Sequence, residues 1–553
     1  MVKTIRINCR NTGTSLDVPA GSTLEEIFEL FAPAMPLGPT SAKVNNKVEG
    51  LHYAAYNSQD VEFLDITSTS GMRTYIRSLT FVLYKAVSEL YPGARLRVQA
   101  PVSNGYYCRL DTPRPLAPAD VDAIRTKMQQ IVDTDMPFHR ITAPTTEAVK
   151  LFRERGLDNK AKLLESYGRL YTNYHTLGDS ADYFYGSLLI RTGQITLFDI
   201  AQYYDGILLR IPDPDSPTSL KPLVKQEKMF EVFREHHEWQ HILGISTIGE
   251  FNEAMAKGYA TDLINVSEAL QEKKISRIAD DIKDRSHIRM VLVSGPSSSG
   301  KTTFSKRLSV QLMACGIRPY AIPLDNYFVD RDKTPRDATG EYDFEHIEAI
   351  DLPRLAADLR ALIAGEEIEL PTYNFRTGKS EQSGQRLRIT PDMILILEGI
   401  HALNPRLTAD VPDLVKYKVY ASALTTVLLD DHNYIPTSDN RLLRRIVRDH
   451  KYRGYTAADT ISRWPSVQAG ERKWIFPYQE NADAMFNSAL IFELAALRTQ
   501  AMPLLEEVPE CSPEYSEAYR LHKFLSYITP MSFTNLPPTS LLREFIGGSS
   551  FKY

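Results

Sequence analysis

The sequence predicts an α/β multidomain protein, on three observations. Its 553 residues exceed what one hydrophobic core holds together. Its composition is that of a globular chain, 43% hydrophobic and 24% charged. Gly295-Pro-Ser-Ser-Ser-Gly300-Lys301-Thr302 is a G-x-x-x-x-G-K-[ST] run. An apolar stretch at 291–293 precedes it, and a helical pattern of Phe304, Leu308 and Leu312 follows. Strand, glycine loop and helix N-terminus in succession form an anion cradle at the head of a parallel sheet.

A net charge of −5 argues against a protein that coats nucleic acid. Cys9, Cys108, Cys315 and Cys511 are far apart and form neither a metal spacing nor a disulfide framework, which suits a reducing compartment. The N-terminus lacks an apolar signal core, and no apolar run reaches membrane length. A cytoplasmic protein without a membrane partner is expected.

The elements of residues 1–66 come in a ubiquitin-like order. Residues 4–8 and 15–18 alternate like strands, and Ser22-Thr-Leu-Glu25 opens a helix with a capping-box pattern. Residues 44–48 and 61–64 supply further strands. The run Val18-Pro-Ala-Gly-Ser-Thr-Leu24 resembles the TGS domains of threonyl-tRNA synthetases and stringent-response proteins, which implies a binding or docking module.

Residues 67–245 begin with a helix at 75–90, then Tyr91-Pro-Gly and a strand-rich stretch at 100–110. This order resembles the α+β editing-type domain of threonyl- and alanyl-tRNA synthetases. In that family a helical H-x-x-x-H and a later Cys/His pair hold a metal. The matching positions here are Arg77 and Phe81, and no later Cys-x-x-x-His follows. His237 and His241 offer an i, i+4 pair, next to His236, but in a charged, surface-like helix. A scaffold, binding surface or regulatory domain is expected, with RNA or a nucleotide left open as its ligand and homo-oligomerisation left open for the chain. Residues 246–287 are expected as a helical linker, 288–500 as the phosphate-loop domain, and 501–553 as an extension without assigned function.

Two acids follow the loop. The strand expected at 320–324 ends in Asp325, and the buried strand at 393–397 ends in Glu398. Strand C-terminal ends face the ligand crevice of an open α/β sheet. One such carboxylate accepts a proton from an attacking hydroxyl while the other organises Mg²⁺. Arg441, Arg444, Arg445 and Arg448 share one side of a helix with few interleaved acids, so a polyphosphate is expected to neutralise them, with a solvated charged face or an RNA backbone as the alternatives.

SGPSSSGKTT, LDNYF, YDFEHIEAID, LPTYNF, ILEGIHAL and DNRLLRRIVRD follow in the order of the uridine–cytidine kinase and phosphoribulokinase family, which this part of the chain resembles. The resemblance implies a P-loop kinase with a parallel sheet and flanking helices, using ATP and Mg²⁺. It implies ATP contacts from Gly295, Ser297, Ser298, Ser299, Gly300, Lys301, Thr302, Thr303, Arg441, Arg444, Arg448 and Arg453. Asp325 falls on the general base, with Lys301 as its catalytic partner. Glu345, Tyr373, Phe375 and Arg445 fall on the acceptor side, and Thr302 and Glu398 on Mg²⁺. There are departures from the family pattern. Gly378 stands near the base-reading His, Tyr455 replaces a lid arginine, Arg463 replaces a later glutamine, and Glu345 replaces an Asp. Phosphoryl transfer from ATP to a nucleoside 5′-hydroxyl is expected, uridine or cytidine first. Other sugar or sugar-phosphate acceptors, or an ATP-binding regulator that senses RNA or nucleotides, remain as alternatives.

Overall fold

The computed structural model describes residues 3–337 and 340–553. Its first module is a five-stranded sheet in the order Thr14–Pro19, Thr4–Cys9, Gln59–Leu64, Ser41–Val44, Lys47–Glu49. Thr4–Cys9 alternates exposed and buried positions, as its alternating sequence dictates. The helix Leu24–Phe31 buries Leu24, Ile27 and Phe31 in one apolar cluster with Ile5, Ile7 and Phe63. Its capping box lies one residue later than expected. Thr23 Oγ1 accepts from Glu26 N at 3.2 Å, and Glu26 Oε2 accepts from Thr23 N at 2.8 Å. The expected strand at 44–48 is a hairpin instead, because Asn45 and Asn46 take φ of 47° and 62° and turn the chain back.

The helix Thr69–Leu90 leads into the second module. A four-stranded sheet runs Asp199–Tyr203, Gly206–Arg210, Gly105–Asp111, Arg95–Val102, and a three-stranded sheet joins Ser180–Asp182, Tyr171–Leu177 and His139–Pro144. Phe81 is buried 5.8 Å from the ring of Phe184, in one cluster with Leu188. Arg77 donates from Nε to Ser187 O at 2.9 Å and from Nη2 to Thr74 Oγ1 at 3.1 Å. The three histidines of the helix Glu227–Leu243 diverge: His236 is buried, His237 Nε2 meets Arg109 Nη1 at 2.8 Å, and His241 faces solvent.

The stretch expected as a linker is a packing layer. In the helix Ala260–Asp284, the apolar stripe Ile275, Ile278, Ala279 and Ile282 joins Val291, Phe304 and Leu308 in one core. Arg307 reaches back to this helix, meeting Glu268 at 3.3 Å.

Five parallel strands follow: β1 (Met290–Ser294), β2 (Arg318–Pro323), β3 (Met393–Glu398), β4 (Lys416–Ser422) and β5 (Ala484–Asn487), in the order β2-β3-β1-β4-β5. β1 is buried throughout and β3 up to its final glutamate, as parallel strands covered on both faces require. Val293 and Pro323 both register with Glu398. The loop after β1, Asp325 after β2 and Glu398 at the end of β3 therefore emerge at one edge of the sheet. The loop helix Lys301–Ala314 buries Phe304, Leu308 and Leu312, the face its spacing predicts.

The expected limit at 500 falls inside the helix Glu493–Glu506. Beyond it, Leu521, Phe524, Leu525, Leu541, Leu542 and Phe545 share the core of the parallel sheet. The C-terminal extension is thus built into the same body. Among the described residues no helix is long and apolar enough to cross a membrane.

Candidate active site

The phosphate loop bends sharply between β1 and the loop helix, with Gly295 directly after β1 and Ser298 at φ 58°. Gly300 caps the helix in the left-handed region at φ 80°. Ser298, Ser299 and Lys301 are buried. Lys301 Nζ donates to Pro296 O at 3.1 Å, folded over its own loop. Thr302 Oγ1 donates to Glu398 Oε2 at 3.2 Å. Thr303 Oγ1 meets Glu544 Oε2 at 2.6 Å.

The acids beside the loop carry raised pKa values. Burial pushes the Glu398 carboxyl up to about 7; Lys301 opposes this, while Asp325 and Glu544 add to it. Desolvation also raises the Asp325 carboxyl, against the pull of Lys301, Arg453 and Arg448. Glu345 is pushed up to about 7 by burial and by Glu471, with Arg445, Lys301 and Arg441 opposing. Lys301 thus acts electrostatically on all three acids, Asp325, Glu345 and Glu398. A Cβ on Gly470 would stand 2.3 Å from Glu345 Cβ. A glycine at that position lets the helix Ala457–Trp474 press close over Glu345.

The hydroxyl of Thr302 and the carboxylate of Glu398, 3.2 Å apart, are hard oxygen donors of the kind Mg²⁺ takes. The Glu398 carboxyl is raised first by burial and then by the charges of Asp325 and Glu544, and a bound cation would favour its ionised form.

The strand Ile368–Asn374 lies against the turn Leu324–Tyr327 that carries Asp325. Tyr373 is buried, and Phe375 is 58% exposed, so only Phe375 offers an open ring face. The two rings are 5.1 Å apart, with Phe328 5.5 Å from Tyr373. At the turn after this strand, Gly378 O accepts from Arg331 N at 2.8 Å, and Phe375 O accepts from Arg331 Nη2 at 2.6 Å. Arg463 stacks over Tyr455, 4.8 Å from its ring.

The arginine helix, Thr437–Arg453, corrects the expectation of an uncompensated basic face. Arg441 pairs with Glu471 of the neighbouring helix and donates to Ser297 O at 2.9 Å. Arg445 donates to Ser297 Oγ at 3.0 Å. Arg445, Arg448 and Arg453 converge on the buried Asp449, at 3.2, 2.8 and 3.4 Å. Arg444 turns away from the cleft. It is fully buried, bidentate to Glu493 at 2.7 and 2.6 Å, and donates to Ser298 O at 3.3 Å and Ser488 Oγ at 2.9 Å. Its donors are consumed, so it braces the loop from beneath rather than facing a nucleotide.

The sequence pattern missed Glu471, Glu493, Glu544 and Tyr553. Glu471 Oε1 accepts from Ser297 N at 2.9 Å, and Tyr553 Oη lies 2.8 Å from Thr303 Oγ1. No local motif announces them. Also missed was His401, buried beside Glu345, His346 and Lys301, which burial lowers to about 4 and so keeps neutral at pH 7.

Comparison with known proteins covers both parts of the chain. A threonine–tRNA ligase of Symbiobacterium thermophilum is 28% identical over 199 residues, 35% of this chain and 31% of the ligase. Such ligases match the N-terminal region, and the chain spans about a third of their length. A uridine kinase of Halobacterium salinarum is 28% identical over 193 residues, 34% of this chain and 76% of that enzyme. A uridine kinase of Lactobacillus helveticus is 30% identical over 192 residues, 34% of this chain and 82% of that enzyme. The model of the phosphoribulokinase / uridine kinase family matches residues 290–492, from β1 past the arginine helix and β5 to the start of the helix Glu493–Glu506. Through this stretch the chain belongs to the phosphoribulokinase / uridine kinase family.

Proposed function

We propose that this protein is an ATP-dependent kinase that phosphorylates a hydroxyl of a small molecule, the 5′-hydroxyl of uridine or cytidine first. The observation that carries this reading is the convergence of Asp325 and Glu398, from the ends of adjacent strands, on Lys301 and Thr302 of the loop. In this scheme Asp325 accepts the proton of the attacking hydroxyl. Lys301 exchanges its bond to Pro296 O for the β- and γ-phosphate oxygens. Thr302 and Glu398 hold Mg²⁺, which when bound neutralises charge on the phosphates. Glu345 holds the acceptor's sugar hydroxyls, and Phe375 offers its open face to the acceptor's ring, with the buried Tyr373 packed behind it. Arg441 and Arg445 already touch Ser297 of the loop, and Arg448 and Arg453 lie next in line on the same helix.

Arg331 supports a second acceptor class. Its guanidinium sits against Phe375 O and Gly378, where the family places its base reader. A cation there favours an acceptor that carries a phosphate of its own. The deciding experiment incubates the purified protein with Mg-ATP and uridine, cytidine, free pentoses or pentose phosphates, and identifies products by mass spectrometry. Uridine or cytidine monophosphate is the expected product. Turnover of a pentose phosphate alone would favour the second class, and no product from any acceptor would overturn the kinase.

A pH dependence follows from Glu398. Its carboxyl, at about 7 in the free protein, is protonated below that pH and ionised above it. The Mg²⁺-holding form is the ionised one, so kcat/KM for ATP rises from pH 6 to 8 with a limb near 7. Below the limb it falls about tenfold per pH unit. A flat profile across this range would remove Glu398 from the metal.

A further inference from the structure

Two carboxylates of the chain itself lie on the phosphate loop. Glu471 takes the N–H of Ser297 near its start. Glu544, from the C-terminal segment, takes the far end, where its Oε2 accepts from Thr303 N at 3.2 Å and from Thr303 Oγ1 at 2.6 Å. Thr303 is in the first turn of the loop helix, whose N–H groups have no partner within the helix. Those are the donors that hold a phosphate in such a loop, with the helix dipole behind them.

The rest of the segment closes over the same spot. Tyr553 Oη lies 2.8 Å from Thr303 Oγ1, and its ring is 5.7 Å from Lys306 Nζ. Leu541 packs so tightly on Gly300 that a Cβ there would meet it at 2.3 Å. Lys451 of the arginine helix holds Ile546 O at 2.8 Å. Glu544 forms no ion pair among the described residues; its charge instead adds to that on Glu398. A further carboxylate beside Glu398 and Asp325 adds like-charge repulsion at the loop.

The segment is also clasped by both N-terminal modules. Glu510 O accepts from Asn46 Nδ2 at 3.1 Å, and Tyr519 lies 4.9 Å from Lys47 Nζ. Glu517 pairs with Arg73 at 2.8 Å, and Arg520 with Asp439 of the arginine helix at 2.6 Å.

We propose that the C-terminal segment ends in an autoinhibitory strap: anchored by the buried Leu541, Leu542 and Phe545, it lays the side chain of Glu544 and the tail 548–553 with Tyr553 on the nucleotide side of the phosphate loop, and ATP binds only when that side chain and tail are displaced. The proposal rests on the nucleotide-binding reading above. Carboxylate and phosphate compete for the N–H and hydroxyl of Thr303, so the apparent ATP affinity is lowered by the fraction of molecules in which the strap is seated. Contacts of Glu510, Glu517 and Tyr519 tie the same C-terminal segment to residues 1–245.

The test titrates Mg²⁺ with a β,γ-imido analogue of ATP into the full-length protein by calorimetry. Wild type is compared with Glu544→Gln, Tyr553→Phe and, as a control, Lys301→Ala. Glu544→Gln keeps shape and an acceptor oxygen but removes the charge, so it binds on the order of tenfold tighter; Tyr553→Phe binds a few-fold tighter. In parallel, amide exchange of residues 548–553 in the wild type rises when the analogue saturates. Glu544→Gln binding equally or more weakly, or a segment that stays protected at saturation, overturns the strap. If Lys301→Ala loses binding while Glu544→Gln matches wild type, only the strap is lost and the kinase reading stands. If neither wild type nor Glu544→Gln binds the analogue, the nucleotide reading fails and takes the strap with it.

Discussion

Asp325→Asn is expected to lower acceptor turnover by a factor on the order of 10²–10⁴ and to change ATP affinity little. The substitution keeps the shape of the side chain and removes the proton acceptor. Asp325 sits in the short turn Leu324–Tyr327 directly after β2, so the sheet fixes its position. It feels the charges of Lys301, Arg453 and Arg448, which hold it back from a still higher pKa. In the variant those cations face a neutral amide, and ATP loses one repulsive neighbour. Affinity therefore holds or improves slightly while chemistry slows, a split that a structural or ATP-holding role would not produce. Calorimetry gives the ATP affinity, and single-turnover mass spectrometry with the acceptor gives the chemical step. Equal turnover by wild type and variant would move the base elsewhere, Glu345 being the first candidate because its raised carboxyl lies beside the same lysine.

What the sequence carried was local. The loop between an apolar strand and a helix of matching period places Lys301 and Thr302 at the sheet edge, and strands ending in Asp325 and Glu398 bring their acids to the same edge. Strand periodicity and short motifs encode such geometry within a few residues. The partners of the loop are not encoded that way. Glu471 reaches Ser297 across 174 residues, Glu544 reaches Thr303 across 241, and Glu493 reaches Arg444 across 49. Four arginines at i, i+3, i+4 and i+7 look uncompensated when only their own helix is inspected. Two acids that neutralise them stand on two other helices, and Asp449 lies at the foot of their own. The same blindness hid the packing of Ala260–Asp284, where frequent charges mask the stripe Ile275, Ile278 and Ile282. In the first module the Asn45-Asn46 turn was legible in principle, since asparagine is the non-glycine residue that most readily takes positive φ.

Arg444→Met is expected to be strongly destabilising, costing about 3–5 kcal/mol. Arg444 and Glu493 are 0% and 1% exposed and joined by two hydrogen bonds. Removing the guanidinium leaves a carboxylate buried without its counter-charge, supported only by Leu490 N at 2.8 Å. It also strips Ser298 O and Ser488 of their donors, so the underside of the loop loses its brace. The thermal midpoint of this domain should fall by on the order of 10 °C. The double variant Arg444→Met, Glu493→Leu should recover much of that loss, because two apolar groups replace the stranded charge. ATP affinity of the folded double variant should stay within a few-fold of wild type, since Arg444 faces away from the cleft. A single variant that keeps its thermal midpoint but loses ATP binding would return Arg444 to the role its place on the arginine helix first implied. Denaturation curves and nucleotide titration on the same preparations separate the two, because a brace acts on the midpoint and a phosphate ligand on the affinity.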